Sequence, residues 1–205
     1  MIRWRKVLGS IRNRVNRPNC HGPAEQPNAQ VHLGLDEAAA RSVHYGLIDA
    51  APVINKPAAL KSESARAAIS GLIRSQWAGP STGCCVIVAQ ACIDPIKEML
   101  GRDAWIVLGW LTDIAKPGVC IWRMDPDELC RGISRGWLGQ AEVHAWIMLD
   151  SGEIIDPVGY QTLAELFPNF LQGRGQVNFL NAQGLPYKVI PGMPFWRYHP
   201  SAILE

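Results

Sequence analysis

Cys85, His144 and Asp156 have side chains that together could carry out acyl transfer. Cys85 follows the chain-breaking stretch Gly79-Pro80-Ser81-Thr82-Gly83 and opens an apolar run, Val86-Ile87-Val88-Ala89. A cysteine at the start of a helix meets the positive end of the helix dipole and backbone N–H groups that lack intrahelical partners. Both favour thiolate over thiol. The same N–H groups can hold the oxyanion of a tetrahedral intermediate. A nucleophile of this kind needs a base, and the base needs a group that orients it. Each residue alone has an ordinary structural explanation. Cysteine is among the most buried residue types, and Cys84 or Cys85 could be plain core. The nucleophile–base–orienter pattern comes from the three taken jointly.

A hairpin must position the histidine and the aspartate. Val143 to Leu149 is β-branched, aromatic and aliphatic, Asp150-Ser151-Gly152 is turn chemistry, and Glu153 to Asp156 is a second short strand stopped by Pro157. His144 opens the first strand and Asp156 closes the second, so the two side chains can meet across the ladder.

The remaining elements follow from periodicity. Residues 36–45 suit a short helix. Residues 62–77 suit a longer one, capped by Ser62, with Ala65, Ala68, Ile69, Leu72 and Ile73 as its apolar stripe. Residues 85–100 read as a helix with Gly101 just past its end. Asp94-Pro95 inside it predicts a kink, or two short helices with Asp94 capping the second. Residues 104–110 form a buried strand by composition, with a further strand at 119–124 and a helix start at Asp125-Pro126. Residues 160–170 suit a helix, and 177–180 and 188–190 late strands. The tail is rich in proline and aromatics. Helices followed by mostly antiparallel strands make an α+β pattern.

Composition bounds the rest. A chain of 205 residues that is 48% hydrophobic and 19% charged can fill a real core. The expected division is a basic segment and linker over 1–30 and a single domain over 31–205. Residues 1–17 carry Arg3, Arg5, Lys6, Arg12, Arg14 and Arg17 with no acid, a segment suited to a membrane surface or an acidic partner, or to a solvated terminus. A net charge of +2 gives no reason to expect a nucleic-acid partner. No apolar run reaches the length of a membrane span, and the N-terminus lacks a signal-peptide pattern. Cytoplasmic residence, or export by a dedicated secretion system, is the expectation, with the six cysteines reduced. No cysteine or histidine pair has metal-ligand spacing, so no metal or other cofactor is expected.

Gly83-Cys84-Cys85, then Ala89, then Leu100-Gly101 resembles the Gly-x-Cys…Ala…Leu-Gly helix of the transglutaminase-like branch of the papain-like cysteine enzymes. Trp105 to Gly109 resembles the strand that follows. His144-Ala145-Trp146 and Asp156-Pro157 resemble the family's His-x-Trp and Asp-Pro strand pair. The resemblance covers roughly residues 75–160 and implies a papain-like, transglutaminase-like core with a nucleophile helix packed on the sheet. It implies Cys85 as nucleophile, His144 as general base and later acid, and Asp156 as the orienting carboxylate. The Cys85 N–H would be one oxyanion donor, and Gln76 or Trp77 the second.

The implied activity is that of a thiol peptidase, amidase or deamidase acting on a protein or peptide amide. A transglutaminase-type protein-modifying effector or toxin is the alternative. From a different class comes a non-catalytic binding domain on the same fold. The aromatic tail (Phe195, Trp196, Tyr198) and the basic N-terminus would then be interface.

Overall fold

The computed structural model describes residues 34–77, 83–113, 120–136, 143–158 and 196–205. Everything in the described sheet is arranged around β1 (Ala104–Asp113), a run of β-branched, aromatic and aliphatic residues. One edge of β1 pairs with β5 (Trp196–Leu204) from Ile106 to Asp113. The other edge is shared. β3 (His144–Leu149) lies along residues 104–109, and β2 (Cys120–Ile121) pairs beyond it with Leu111 and Thr112. β4 (Ile154–Ile155) adds to the outside of β3. Every described strand pair is antiparallel.

Both faces of the sheet are covered, which is why all six residues of β3 are buried and no polar alternation marks it. One face carries Ile106, Leu108, Ala145 and Ile147. Against it pack α2 (Glu63–Gln76), through Ile69 and Ile73, and α3 (Cys85–Leu100), through Val88, Ala89, Cys92 and Ile96. Leu129 and Cys130 of α4 (Pro126–Ser134) join the same cluster. The other face carries Val107, Leu111, Trp146 and Met148 under Ala38 and Ala39 of α1 (Leu35–His44). Helices packed on a mostly antiparallel sheet make this an α+β fold.

Local chemistry sets the ends. Ser62 Oγ accepts from the Ala65 N–H, and the Asp125 carboxylate accepts from the Glu128 N–H, capping α2 and α4. Helix α3 has no side-chain cap at its start; its N-cap residue is Cys84, and it ends at Gly101, whose φ of 60° suits a glycine. The outer edge of β5 is closed by α1. Ser42 Oγ accepts from the Ile203 N–H at 2.7 Å, and Arg41 donates to the Ser201 carbonyl at 3.0 Å. At the hairpin turn Glu153 accepts from the N–H groups of Ala59 and Leu60, which ties the 51–60 connection to the sheet.

The structure departs from the sequence expectations in several places. Of the two outcomes expected at Asp94-Pro95, a split into two helices does not occur: α3 is one helix with Pro95 inside it. A proline costs about 3 kcal/mol inside a helix. Burial of Val88, Cys92, Ile93 and Ile96, at about 1.5–3 kcal/mol for each large side chain, outweighs that cost. The strand expected over 119–124 is confined to Cys120–Ile121, because Trp122 turns the backbone into the left-handed region at φ 58°. The tail, read only as proline-rich and aromatic, supplies β5. Its Pro200 has no N–H to give a ladder and sits where the β1–β5 register shifts, between Leu108 and Gly109. Cys84, Cys85, Cys92 and Cys130 are free thiols, but Cys120 is disulfide-bonded, so the expectation of reduced cysteines does not hold for it. The basic segment, the helix at 160–170 and the strands at 177–180 and 188–190 lie outside the described residues. Among the described residues no helix is long and apolar enough to cross a membrane.

Candidate active site

His144 begins β3 opposite Gly109. Because β2 and β3 share one edge of β1, the end of β2 faces the start of β3 across a short gap. Trp122, just past β2, stacks on the His144 ring there, with centroids 4.8 Å apart and planes at 23°. His144 is 1% exposed. The hairpin register pairs Ile147 with Ile155, which sets Asp156 level with Trp146 and makes its contact with His144 diagonal across the strands. His144 Nε2 donates to Asp156 Oδ2 at 2.8 Å, and Asp156 is 3% exposed.

Cys85 arrives from the other layer. Its thiol lies 3.6 Å from the Val143 carbonyl oxygen, so the start of α3 meets the chain one residue before β3. The sulfur there is near enough to His144 to act on the imidazole's basicity. With Nε2 committed to Asp156, Nδ1 is the nitrogen left for the sulfur. Burial alone would depress the basicity of His144. The Asp156 charge and its hydrogen bond, followed by the contact with Cys85, override burial and raise the imidazole to about 10. The ring is therefore an imidazolium at neutral pH. The neighbouring thiol of Cys84 is pushed up, first by burial and then by Cys85. Cys85, and not Cys84, is the cysteine that acts on the basicity of His144.

Gly109 makes room for this arrangement. A Cβ there would strike the His199 carbonyl oxygen and come within 2.8 Å of Trp146 Cη2. Contacts that short do not occur for real side chains, so β1 can pass between Trp146 and β5 only as glycine.

Sequence reasoning missed two contributors. Tyr198 on β5 donates its hydroxyl to Asp156 Oδ2 at 2.6 Å and packs edge-on against Trp146 at 5.0 Å. It is 1% exposed, which corrects its assignment to an interface surface. The alternation Trp-Arg-Tyr-His was the available signal, obscured by Pro200. Trp122 carried no signal, since nothing in the sequence marks a tryptophan at positive φ.

Gln76 is the exposed last residue of α2, and Trp77 is its half-buried C-cap, packed against the core beside α3. A second histidine, His199, is pushed down to about 4, first by burial and then by Arg197 and Arg123. It stacks on Trp110 at 3.9 Å, its Nε2 lies 2.7 Å from Thr112 Oγ1, and it serves the packing of β5 on β1. A cleft of about 480 Å³ beside the later turns of α3, lined by Gln90, Asp94, Lys97 and Glu205, includes neither Cys85 nor His144. Among the described residues no three histidine, cysteine or acidic side chains converge to hold a metal ion.

Comparison of the chain with protein families, with curated proteins and with solved structures finds no match.

Proposed function

We propose that this chain is a cysteine-dependent acyl-transfer enzyme with a papain-like, transglutaminase-like core, acting on an amide of a protein or peptide. The observation that carries the reading is the buried 2.8 Å His144–Asp156 hydrogen bond, with the Cys85 sulfur 3.6 Å from the carbonyl oxygen of Val143, the residue before His144. That arrangement supports reading three residues from separate elements in the order nucleophile, base, orienter.

In the proposed reaction the Cys85 thiolate attacks the amide carbon. The oxyanion is held by the Cys85 N–H, which no capping side chain claims. Gln76 and Trp77, at the end of the preceding helix, remain the candidates for a second donor. His144, already protonated, passes its Nδ1 proton to the leaving nitrogen as the C–N bond breaks, and a thioester remains. Neutral His144 then takes a proton from water. The resulting hydroxide attacks, the C–S bond breaks, and thiolate and imidazolium are restored. Water as acceptor gives a peptidase, amidase or deamidase. A lysine amine gives the transglutaminase-type alternative.

One observation favours the second reading, a non-catalytic binding domain. The Cys85 sulfur lies 3.6 Å from the Val143 carbonyl oxygen, a neighbour that suits an S–H donor better than an anionic sulfur. Alkylation separates the two. Under the catalytic reading, iodoacetamide at neutral pH modifies Cys85 ahead of Cys84, and His144→Ala abolishes that preference. Incubation with a glutamine-containing peptide library then leaves an acyl adduct on Cys85 by mass spectrometry. Alkylation of Cys85 no faster than a free thiol, with an adduct on Cys84 or on neither, refutes the enzyme reading.

A further inference from the structure

We infer that Tyr198 is a fourth member of the site, a positioning residue whose hydroxyl shares Asp156 Oδ2 with His144 and so limits how strongly the carboxylate holds the imidazole. The role rests on the reading of Cys85, His144 and Asp156 as an active site.

One carboxylate oxygen accepts two donors, the phenol at 2.6 Å and the imidazole Nε2–H at 2.8 Å. Bonds of that length to an ionised acceptor are charge-assisted and strong, so the phenol takes a real share of the oxygen's charge. The other oxygen accepts the Val158 N–H at 3.4 Å. All three side chains are at most 3% exposed, so water does not dilute the competition. Among the described residues, Tyr198 from β5 bonds the carboxylate and Cys85 from α3 acts on the imidazole. Arg197 and His199 flank Tyr198 and, by strand alternation, face the opposite side of the sheet.

The chemistry gives the sharing a purpose. A base that must both take and release a proton works best when neither state is overwhelmingly favoured. A buried aspartate with the imidazole as its main donor would hold the imidazolium too firmly to let it act as an acid. Tyr198 draws off part of that charge without supplying a charge of its own.

The test is Tyr198→Phe, which removes one oxygen and keeps the ring that packs on Trp146. The His144 ring is followed through alkaline pH by NMR of histidine-labelled protein. In the variant the titration midpoint rises by about one pH unit, the size expected for losing one charge-assisted hydrogen bond to the carboxylate. In an Asp156→Asn background the same substitution moves the midpoint little, because the charge being shared is gone. An unchanged or lowered midpoint in Tyr198→Phe, or a shift of equal size in the Asp156→Asn background, overturns the role. The titration is read without substrate and in Cys85→Ser as well. Failure of the enzyme reading shows separately, as unselective alkylation of Cys85 in the unaltered protein.

Discussion

Replacing Gly109 with alanine adds one methyl group at the most crowded point of the sheet. That methyl would meet the His199 carbonyl oxygen, lie 2.8 Å from Trp146 Cη2 and lie 3.0 Å from the His199 carbonyl carbon. Two of these three neighbours are backbone atoms of β5, and backbone cannot swing aside as a side-chain tip can. Overpacking of a filled core costs about 1–3 kcal/mol, and a clash with backbone belongs at the upper end. The loss of glycine's freedom in the unfolded chain returns about 0.4–1 kcal/mol. The net cost is then about 2 kcal/mol or more. For a chain of this size each kcal/mol lowers the melting temperature by about 2–4 °C. Gly109→Ala should therefore melt about 4–8 °C below the parent in a thermal scan followed by circular dichroism. Gly101→Ala is the control. It adds a methyl at a φ of 60° with nothing within 4 Å, so it carries only the conformational penalty of about 1–2 kcal/mol. A Gly109→Ala protein that melts within about 1 °C of the parent, or above Gly101→Ala, would show that β5 does not press on β1 as described.

Two further outcomes concern the buried pair. The folded value of His144 is raised above its unfolded value, so between about 6.5 and about 10 the folded state binds more protons than the unfolded state. Stability from this group is fully present below about pH 6.5 and is lost as pH rises through about 10. Urea unfolding of the parent should show that decline, and His144→Gln should flatten it. In Asp156→Asn burial prevails and the imidazole is neutral at pH 7, so iodoacetamide alkylation of Cys85 should fall by about 100-fold, measured by mass spectrometry against time. A rate within twofold of the parent would mean that Asp156 does not support the imidazolium.

The helices were legible because their signals are local. Ser62, Asp125 and Gly101 announce the ends that the structure shows, and the apolar stripe of residues 62–77 gives Ile69 and Ile73 to the core. The His144–Asp156 contact was legible for the same reason, since one turn at Asp150-Ser151-Gly152 sets its register. Tyr198 was not legible. Its pairing with Leu111 depends on how β5 crosses the sheet, and no local pattern encodes a partner so distant in sequence. The split considered at Pro95 was weighed on propensity without the burial that α3 gains from the sheet, and it did not occur. Trp122 was invisible because nothing local in its sequence marks a positive φ or its stacking on His144.

Strand β5 is synthesised after every other described element, and it lies against β1, the strand all but β4 lean on. While β5 is missing, Tyr198 is absent from Asp156, the β5 edge of β1 is unpaired, and Ser42 and Arg41 lack their bonds to Ile203 and Ser201. Pairing of this kind, between stretches far apart in the chain, is the slow part of folding. A nascent chain can thus carry its nucleophile helix and its hairpin for some time before the thiol has a finished environment. Maturation of the site is set by the arrival of a strand that contains neither the thiol nor the imidazole.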